Sequence, residues 1–206
     1  MDSEHEFDDR AYVRQWASTA DQRRPERAMM FQRVVEVLRG VDAANLHVVE
    51  LGCGPGTLGD AMLSALPHAT YEGIDLSRPM LELAQERLAR FGARAKLHEL
   101  DLRRGDWTSR VASHVNAIVT NQALHDLGSA EAVEQAYRLV HSRLPDNGVF
   151  VNAELVVPPS GSANKPGKLP LERHLELLQA AGFRDVRAEL AFGEYVGIVA
   201  RKPAPQ

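Results

Sequence analysis

The sequence predicts an α/β fold in which a doubly wound, seven-stranded and mostly parallel sheet is covered by helices on both faces. Three observations point there. From Leu46 onward, short β-type runs alternate with helical stretches, the pattern of parallel strands joined by crossover helices. One buried-type run leads directly into a glycine-dense turn, Gly52-Cys53-Gly54-Pro55-Gly56. Two further β-type runs, separated by Gly193, have the spacing of an antiparallel hairpin.

With 206 residues, 44% of them hydrophobic, the chain is expected to form one domain with a full core. Met1 to Arg10 is acidic and carries no apolar leader-type run, which suggests a soluble, cytoplasmic protein. Residues 1–40 read as a helical lead-in or cap. A short helix is expected over Ala11 to Ala17, with Tyr12, Val13 and Trp16 on one side. A second carries Ala28, Met29, Phe31, Val34, Val35, Val37 and Leu38 at helical spacing and stops at Gly40.

The core is expected over residues 46–202. Its strands are placed at Leu46 to Glu50, Thr70 to Asp75, Ala95 to Glu99, Ala117 to Asn121 and Val149 to Glu154. Helices are expected at Leu58 to Leu66, from Ser77 as N-cap with Pro79 in its first turn to Phe91, weakly at Trp107 to Ala112, and at Ala130 to Leu144 after a Ser129 cap. The Pro145-Asp146-Asn147-Gly148 turn follows. Residues 158–170 have the Gly, Pro and Ser content of a flexible loop or linker, long enough to suggest a functional role. A helix at Leu171 to Ala181, ended by Gly182, precedes the β-type runs Phe183 to Leu190 and Tyr195 to Arg201.

The net charge of −4 gives no reason to expect a nucleic-acid partner. Cys53 is the single cysteine, so an internal disulfide is excluded and a reducing compartment is favoured. The histidines are scattered without metal-ligand spacing, and no metal is expected.

The functional signal is the strand ending in Glu50 followed by Gly52, Gly54 and Gly56. Three residues without side chains at a strand-to-helix turn let a ligand approach the backbone, at the sheet edge where open α/β folds bind their ligands. A tight turn alone is the plainer reading. A nicotinamide dinucleotide site is the rival, but its third glycine belongs one residue later, and a pyrophosphate gains nothing from Glu50. A ligand bearing an ammonium and a sulfonium suits that carboxylate better.

The run Glu50-Leu51-Gly52-Cys53-Gly54-Pro55-Gly56 resembles motif I of the class I S-adenosylmethionine-dependent methyltransferases of small-molecule type. The resemblance implies a Rossmann-like sheet of order 3-2-1-4-5-7-6 with an antiparallel last strand. It implies that Asp75 holds the ribose hydroxyls, with Leu76 beside it, and that Asp101 and Leu102 form the adenine site, where Glu99 is an alternative acid. Thr120-Asn121-Gln122-Ala123-Leu124-His125-Asp126-Leu127 is similar to motif IV and would put Asn121 beside the methionine portion and the following turn toward the substrate. The Asp/Asn-Pro-Pro-Tyr signature of enzymes acting on nucleic-acid bases is missing.

On that resemblance the expected reaction is methyl transfer to an oxygen, nitrogen or carbon of a small organic acceptor. The protein supplies proximity and alignment, because a sulfonium leaves without a proton. His125 is the candidate general base, its alternative a structural histidine bonded to the loop; Asp126 orients it or caps a turn. Trp16, Arg27 and Gln122 are the candidate substrate contacts. A cofactor-binding protein without catalysis, acting as sensor or partner subunit, and an NAD-type oxidoreductase are the competing functions.

Overall fold

The computed structural model describes residues 7–41, 43–159 and 161–204, so the acidic opening at Met1 to Glu6, together with Ser160, lies outside the described residues. The seven strands form one sheet in the order β3-β2-β1-β4-β5-β7-β6. These are β1 (His47–Leu51), β2 (Thr70–Asp75), β3 (Ala95–Glu99), β4 (Ala117–Asn121), β5 (Val149–Leu155), β6 (Arg184–Phe192) and β7 (Tyr195–Arg201). The first five pair in parallel, and β7 inserts antiparallel between β5 and β6.

Burial explains the sheet. The central strands β1, β4 and β5 are almost continuously buried, as Val/Ile-rich strands covered on both faces must be. The outer strands instead carry Lys96 and Glu99 on β3 and Arg184, Asp185 and Arg187 on β6, all exposed, which discourages further strand addition.

Six α-helices accompany the sheet among the described residues: α1 (Arg10–Arg23), α2 (Arg27–Arg39), α3 (Thr57–Ala65), α4 (Arg78–Leu88), α5 (Ala130–Arg143) and α6 (Leu171–Ala180). One face of the sheet packs Phe31, Val34 and Leu38 of α2 and Leu58, Met62 and Leu63 of α3. The other packs Tyr137 and Val140 of α5, Leu177 and Leu178 of α6, and Trp107.

The Ser77 cap is formed, its Oγ accepting from Met80 N at 3.2 Å, and Ser129 Oγ accepts from Ala132 N at 3.1 Å; such caps contribute about 1 kcal/mol each. Helix α1 is twice as long as its apolar spacing suggests. Among its described residues only Val13 and Ala20 are buried, so most of its length has no hydrophobic periodicity to detect. Asp9 starts it by accepting from the Ala11 and Tyr12 amides, and Arg24, held out of helical geometry at φ −141° and ψ 75° before Pro25, separates it from α2. Helix α4 stops at Leu88, short of the expected Phe91, and a 3₁₀ segment continues over Ala89–Arg94, in which Gly92 takes φ 55°. The weak helix near Trp107 is a short 3₁₀ turn, Asp106–Ser109, anchored by the buried Trp107.

The 158–170 segment is fastened at both ends. Val157 and Pro170 form a parallel bridge, Lys165 pairs with Asp126, and Lys168 Nζ lies 2.7 Å from Glu194. Residues 161–164 between these attachments are exposed. Glu194, in the β6–β7 turn, also pairs with Arg24 at 3.0 Å and so links the lead-in helices to the sheet.

Candidate functional site

A cavity of about 480 Å³ opens where β1, β2, β3 and β4 end, within the size range of small-molecule sites. It lies where the chain order reverses between β1 and β4, the place where open α/β sheets bind ligands.

The glycine loop forms its floor. Gly52 takes φ 66°, and a Cβ there would lie 2.3 Å from the Ala123 Cβ, so only glycine allows the turn after β4 to approach this closely. Gly54 takes φ 52°, and a Cβ there would meet nothing within 4 Å, so the backbone is left open. Gly56 does something else. It is not among the lining residues, and a Cβ on it would press on Ala84 at 3.1 Å and Leu88 at 3.3 Å; its role is to let the loop pack on α4, a correction to its expected place at the ligand.

Two carboxylates frame the loop. Glu50 is 1% exposed and accepts a 2.7 Å bond from the Tyr71 hydroxyl. Burial above all, with the Asp75 charge adding, pushes its carboxyl up to about 8 against the pull of the Tyr71 bond and the Arg27 charge. Asp75 accepts from Gly54 N at 2.7 Å and Ser77 N at 2.9 Å, tying the loop to the end of β2. Burial raises its pKa while those backbone donors hold it down in part. An ionised carboxylate retains lone pairs for ligand hydroxyls after two such bonds.

Leu76 is 52% exposed beside Asp75 and lines the cavity, as do Asp101 and Leu102, whereas Glu99 does not. Asp101 is engaged already: Arg103 Nε and Nη2 reach its two oxygens at 2.9 and 3.0 Å and hold its carboxyl below the usual range.

Trp16, Arg27, Asn121 and Gln122 also line the cavity. Trp16 makes an edge contact with Phe7 at 5.7 Å, and Arg27 is 5% exposed with its guanidinium 5.3 Å from the Phe31 ring. Asn121 Oδ1 accepts from the Tyr195 hydroxyl at 2.5 Å. Gln122 sits at φ 54°, a conformation that costs a side-chain-bearing residue about 1 kcal/mol or more.

His125 is placed differently from a general base. It is not among the lining residues; its ring is buried, with Nδ1 2.6 Å from Glu154 Oε1 and Nε2 3.4 Å from Asp126 Oδ2. Burial would lower its pKa, but the charge and bond of Glu154, with Asp126 adding, outweigh it and the net shift is upward. A ring held toward its protonated form between two acids is poorly suited to accept a proton. The structural alternative describes its position, and Asp126 and Leu127, not the histidine, face the cavity.

Other lining residues escaped the sequence reading. Phe7 and Met80 become neighbours only when α1 docks on α4, through Arg10–Glu82, Arg14–Glu86 and a 2.5 Å bond from Ser77 Oγ to the Phe7 carbonyl. Cys53 and Ser77 were adjacent to recognised positions, and their neighbours were the available signal. Among the described residues no group of three or more His, Cys, Asp or Glu is placed to hold a metal ion, and no helix is long and apolar enough to cross a membrane.

The loop, the carboxylates and the apolar edge suit one elongated ligand with a cationic end near Glu50, hydroxyls at Asp75 and a flat ring beside Leu76. Residues 49–150 match the family model described as a methyltransferase domain. The chain belongs to the class I S-adenosylmethionine-dependent methyltransferases. The residues present fit this family's cofactor: Gly54 leaves open backbone, Glu50 is a buried carboxylate that accepts from the Tyr71 hydroxyl, and Leu76 is an exposed apolar surface beside Asp75.

Among relatives, a trans-aconitate 2-methyltransferase of Rhodococcus jostii is 39% identical over 90 residues, 43% of this chain and 32% of that protein. A ribosomal RNA small subunit methyltransferase C of a Shewanella species is 32% identical over 80 residues, 39% of this chain and 22% of its own length. The chain spans half or less of the curated relatives it matches. A S-adenosylmethionine-bound amino pentose methyltransferase from Micromonospora echinaspora superposes with a TM-score of 0.69 at 18% identity, covering 84% of this chain and 90% of that one. That likeness is one of fold.

Proposed function

We propose that this methyltransferase moves the methyl group of S-adenosylmethionine to an oxygen, nitrogen or carbon of a small organic acceptor. The observation that carries the reading is the convergence of Glu50, the open backbone of Gly54 and Asp75 on one cavity at the switch point of the sheet. When bound, the cofactor supplies an activated methyl on sulfur, so the chain's own work is to bind, align and exclude water.

Glu50 meets the cofactor's ammonium and Asp75 its ribose hydroxyls, while Leu76 and Leu102 flank the ring. Asn121, held by Tyr195, lies toward the methionine portion. The acceptor enters between the lead-in helices and the turn after β4, against Trp16, Arg27 and Gln122. Phe7 and Trp16 add aromatic surface to the cavity wall.

The enclosure by side chains of two helices suits a small acceptor, and small-molecule methyltransferases stand among both the curated and the structural relatives. The ribosomal RNA relative makes nucleic acid the outcome to test against. Calorimetric titration with S-adenosylmethionine, S-adenosylhomocysteine and NAD, followed by mass detection of methylated product in a metabolite panel and in ribosomal RNA, tests the reading. Binding of the first two and a methylated small molecule are expected. Tight NAD binding without S-adenosylmethionine binding overturns the cofactor, cofactor binding with no product from any acceptor supports a sensor, and methylated RNA moves the acceptor class.

A further inference from the structure

Glu154, at the end of β5, is a carboxylate with no exposed surface and no place on the cavity wall. Burying an ionised carboxylate costs several kcal/mol unless its oxygens are well bonded. Burial pushes its pKa up, but the charge and bond of His125 prevail and leave it below the usual range.

Its partners show what the charge is used for. Oε2 accepts from Leu124 N at 3.0 Å and His125 N at 3.3 Å, and Oε1 lies 2.6 Å from His125 Nδ1 and accepts from Leu155 N at 2.7 Å. Three of these four groups belong to one 3₁₀ turn, Leu124–Leu127. Apolar packing would fill the same space without orienting that backbone; hydrogen bonds fix direction as well as distance.

The turn matters to the cavity on two sides. Asp126 and Leu127 line it, and Ala123, just before the turn, stands where a Gly52 side chain would begin. A shift of the turn therefore moves both the acceptor end and the surface that abuts the glycine loop. From outside, Gly167 lies so close that a Cβ on it would be 2.5 Å from the His125 carbonyl oxygen, and Lys165 pairs with Asp126. The turn is clamped between a buried acid below and the 165–168 segment above.

We propose that Glu154 is a positioning residue that holds the 124–127 turn in its ligand-ready arrangement, with His125 as the donor through which it acts. The proposal rests on the cofactor-binding reading of the cavity. His125 then needs a hydrogen-bond donor at its Nδ1 position and no acid–base chemistry.

The test uses S-adenosylhomocysteine binding and the proton spectrum of ¹⁵N-histidine-labelled protein. A ring proton shared with a buried carboxylate gives a far-downfield resonance in the wild type. Glu154→Gln, with circular dichroism unchanged, is expected to abolish that resonance and to weaken S-adenosylhomocysteine binding about tenfold or more, the scale of one lost charge-assisted bond. His125→Asn, which keeps a donor near the Nδ1 position, is expected to bind within about threefold of wild type, and His125→Leu to fall with Glu154→Gln. Should Glu154→Gln fail to fold, the His125 pair carries the test alone. The proposal is overturned if the resonance is lost with no change in affinity, if it survives Glu154→Gln, or if Asn and Leu at 125 behave alike. Absence of S-adenosylhomocysteine binding by the wild type is a different result and overturns the cofactor reading instead.

Discussion

The two ends of the cavity are built in different ways. The wall proposed for the cofactor is largely backbone: Gly52 and Gly54 at positive φ, the acids Glu50 and Asp75 on β1 and β2, and the Gly54 amide that ties Asp75 to the loop. The wall proposed for the acceptor is made of side chains brought together from α1, α2 and the turn after β4, and held by ion pairs at the surface and a buried clamp beneath. Backbone geometry restricts which residue types are allowed, whereas a side-chain surface is free to vary as long as something fills it.

The sharpest break of the comparison is Gly52→Ala. Its Cβ meets Ala123 at 2.3 Å and its φ is positive, so the substitution strikes both ends together. A stability loss of about 2 kcal/mol or more is expected in chemical denaturation, with S-adenosylhomocysteine affinity down at least about a hundredfold. An unperturbed variant would show that the two ends are not mechanically joined there.

Asp75→Ala confines the damage to the cofactor end. It removes the acceptor for Gly54 N and Ser77 N as well as the ribose contact, and about 2–3 kcal/mol of S-adenosylhomocysteine binding should disappear in calorimetry. A dissociation constant equal to wild type would mean the ribose is held elsewhere.

Glu50 sharpens the comparison through pH. Its carboxyl is neutral below about 8, and an ammonium ligand favours the charged form. S-adenosylhomocysteine affinity should rise from pH 6 toward pH 8, with a limiting slope of about tenfold per unit and proton release on binding. Glu50→Gln should flatten the slope. Stability carries the opposite trend: the folded pKa of about 8 exceeds the ordinary 4.5, so the folded state keeps a proton the unfolded chain has lost, and this group's contribution falls as pH rises between those values. A slope that survives Glu50→Gln would assign it to another group.

The smallest effect belongs to the surface of the acceptor end. Arg10 and Glu82 pair in exposed positions, and Arg10→Ala should cost no more than about 0.5 kcal/mol in thermal unfolding, and less still in high salt. A large loss would mean that α1 is held by its charges and not by Val13 and Ala20.

The same division governs what the sequence made legible. β4 and β7 have their expected bounds because apolar runs flanked by turn residues leave little freedom, and β2 and the polar edge strand β3 follow from the α/β alternation. Asp75 stood out through the family resemblance, which puts a carboxylate at the end of the second strand; by position alone it is equally an acid flanking the Ser77 cap. The full length of α1 was hidden, since a helix that buries only two residues has no period to read. His125 resembles a base because it follows the strand-end motif; nothing local announces Glu154, which arrives from β5 and engages the ring in a buried pair. Gly56 was legible as necessary, but its purpose depends on Ala84 and Leu88, which are contacts of the folded chain.

The bridge between Val157 and Pro170 makes the segment between them a port for added sequence. Its two ends already meet, and the exposed residues 161–164 lie outside the contacts of Lys165, Gly167 and Lys168. Doubling the length of a closed flexible loop costs only about 0.6 kcal/mol. A helical roof grafted between Gly161 and Asn164 would thus be tolerated by the sheet, and acceptor selectivity becomes a quantity that can be engineered on this scaffold without touching the residues proposed to hold the methyl donor.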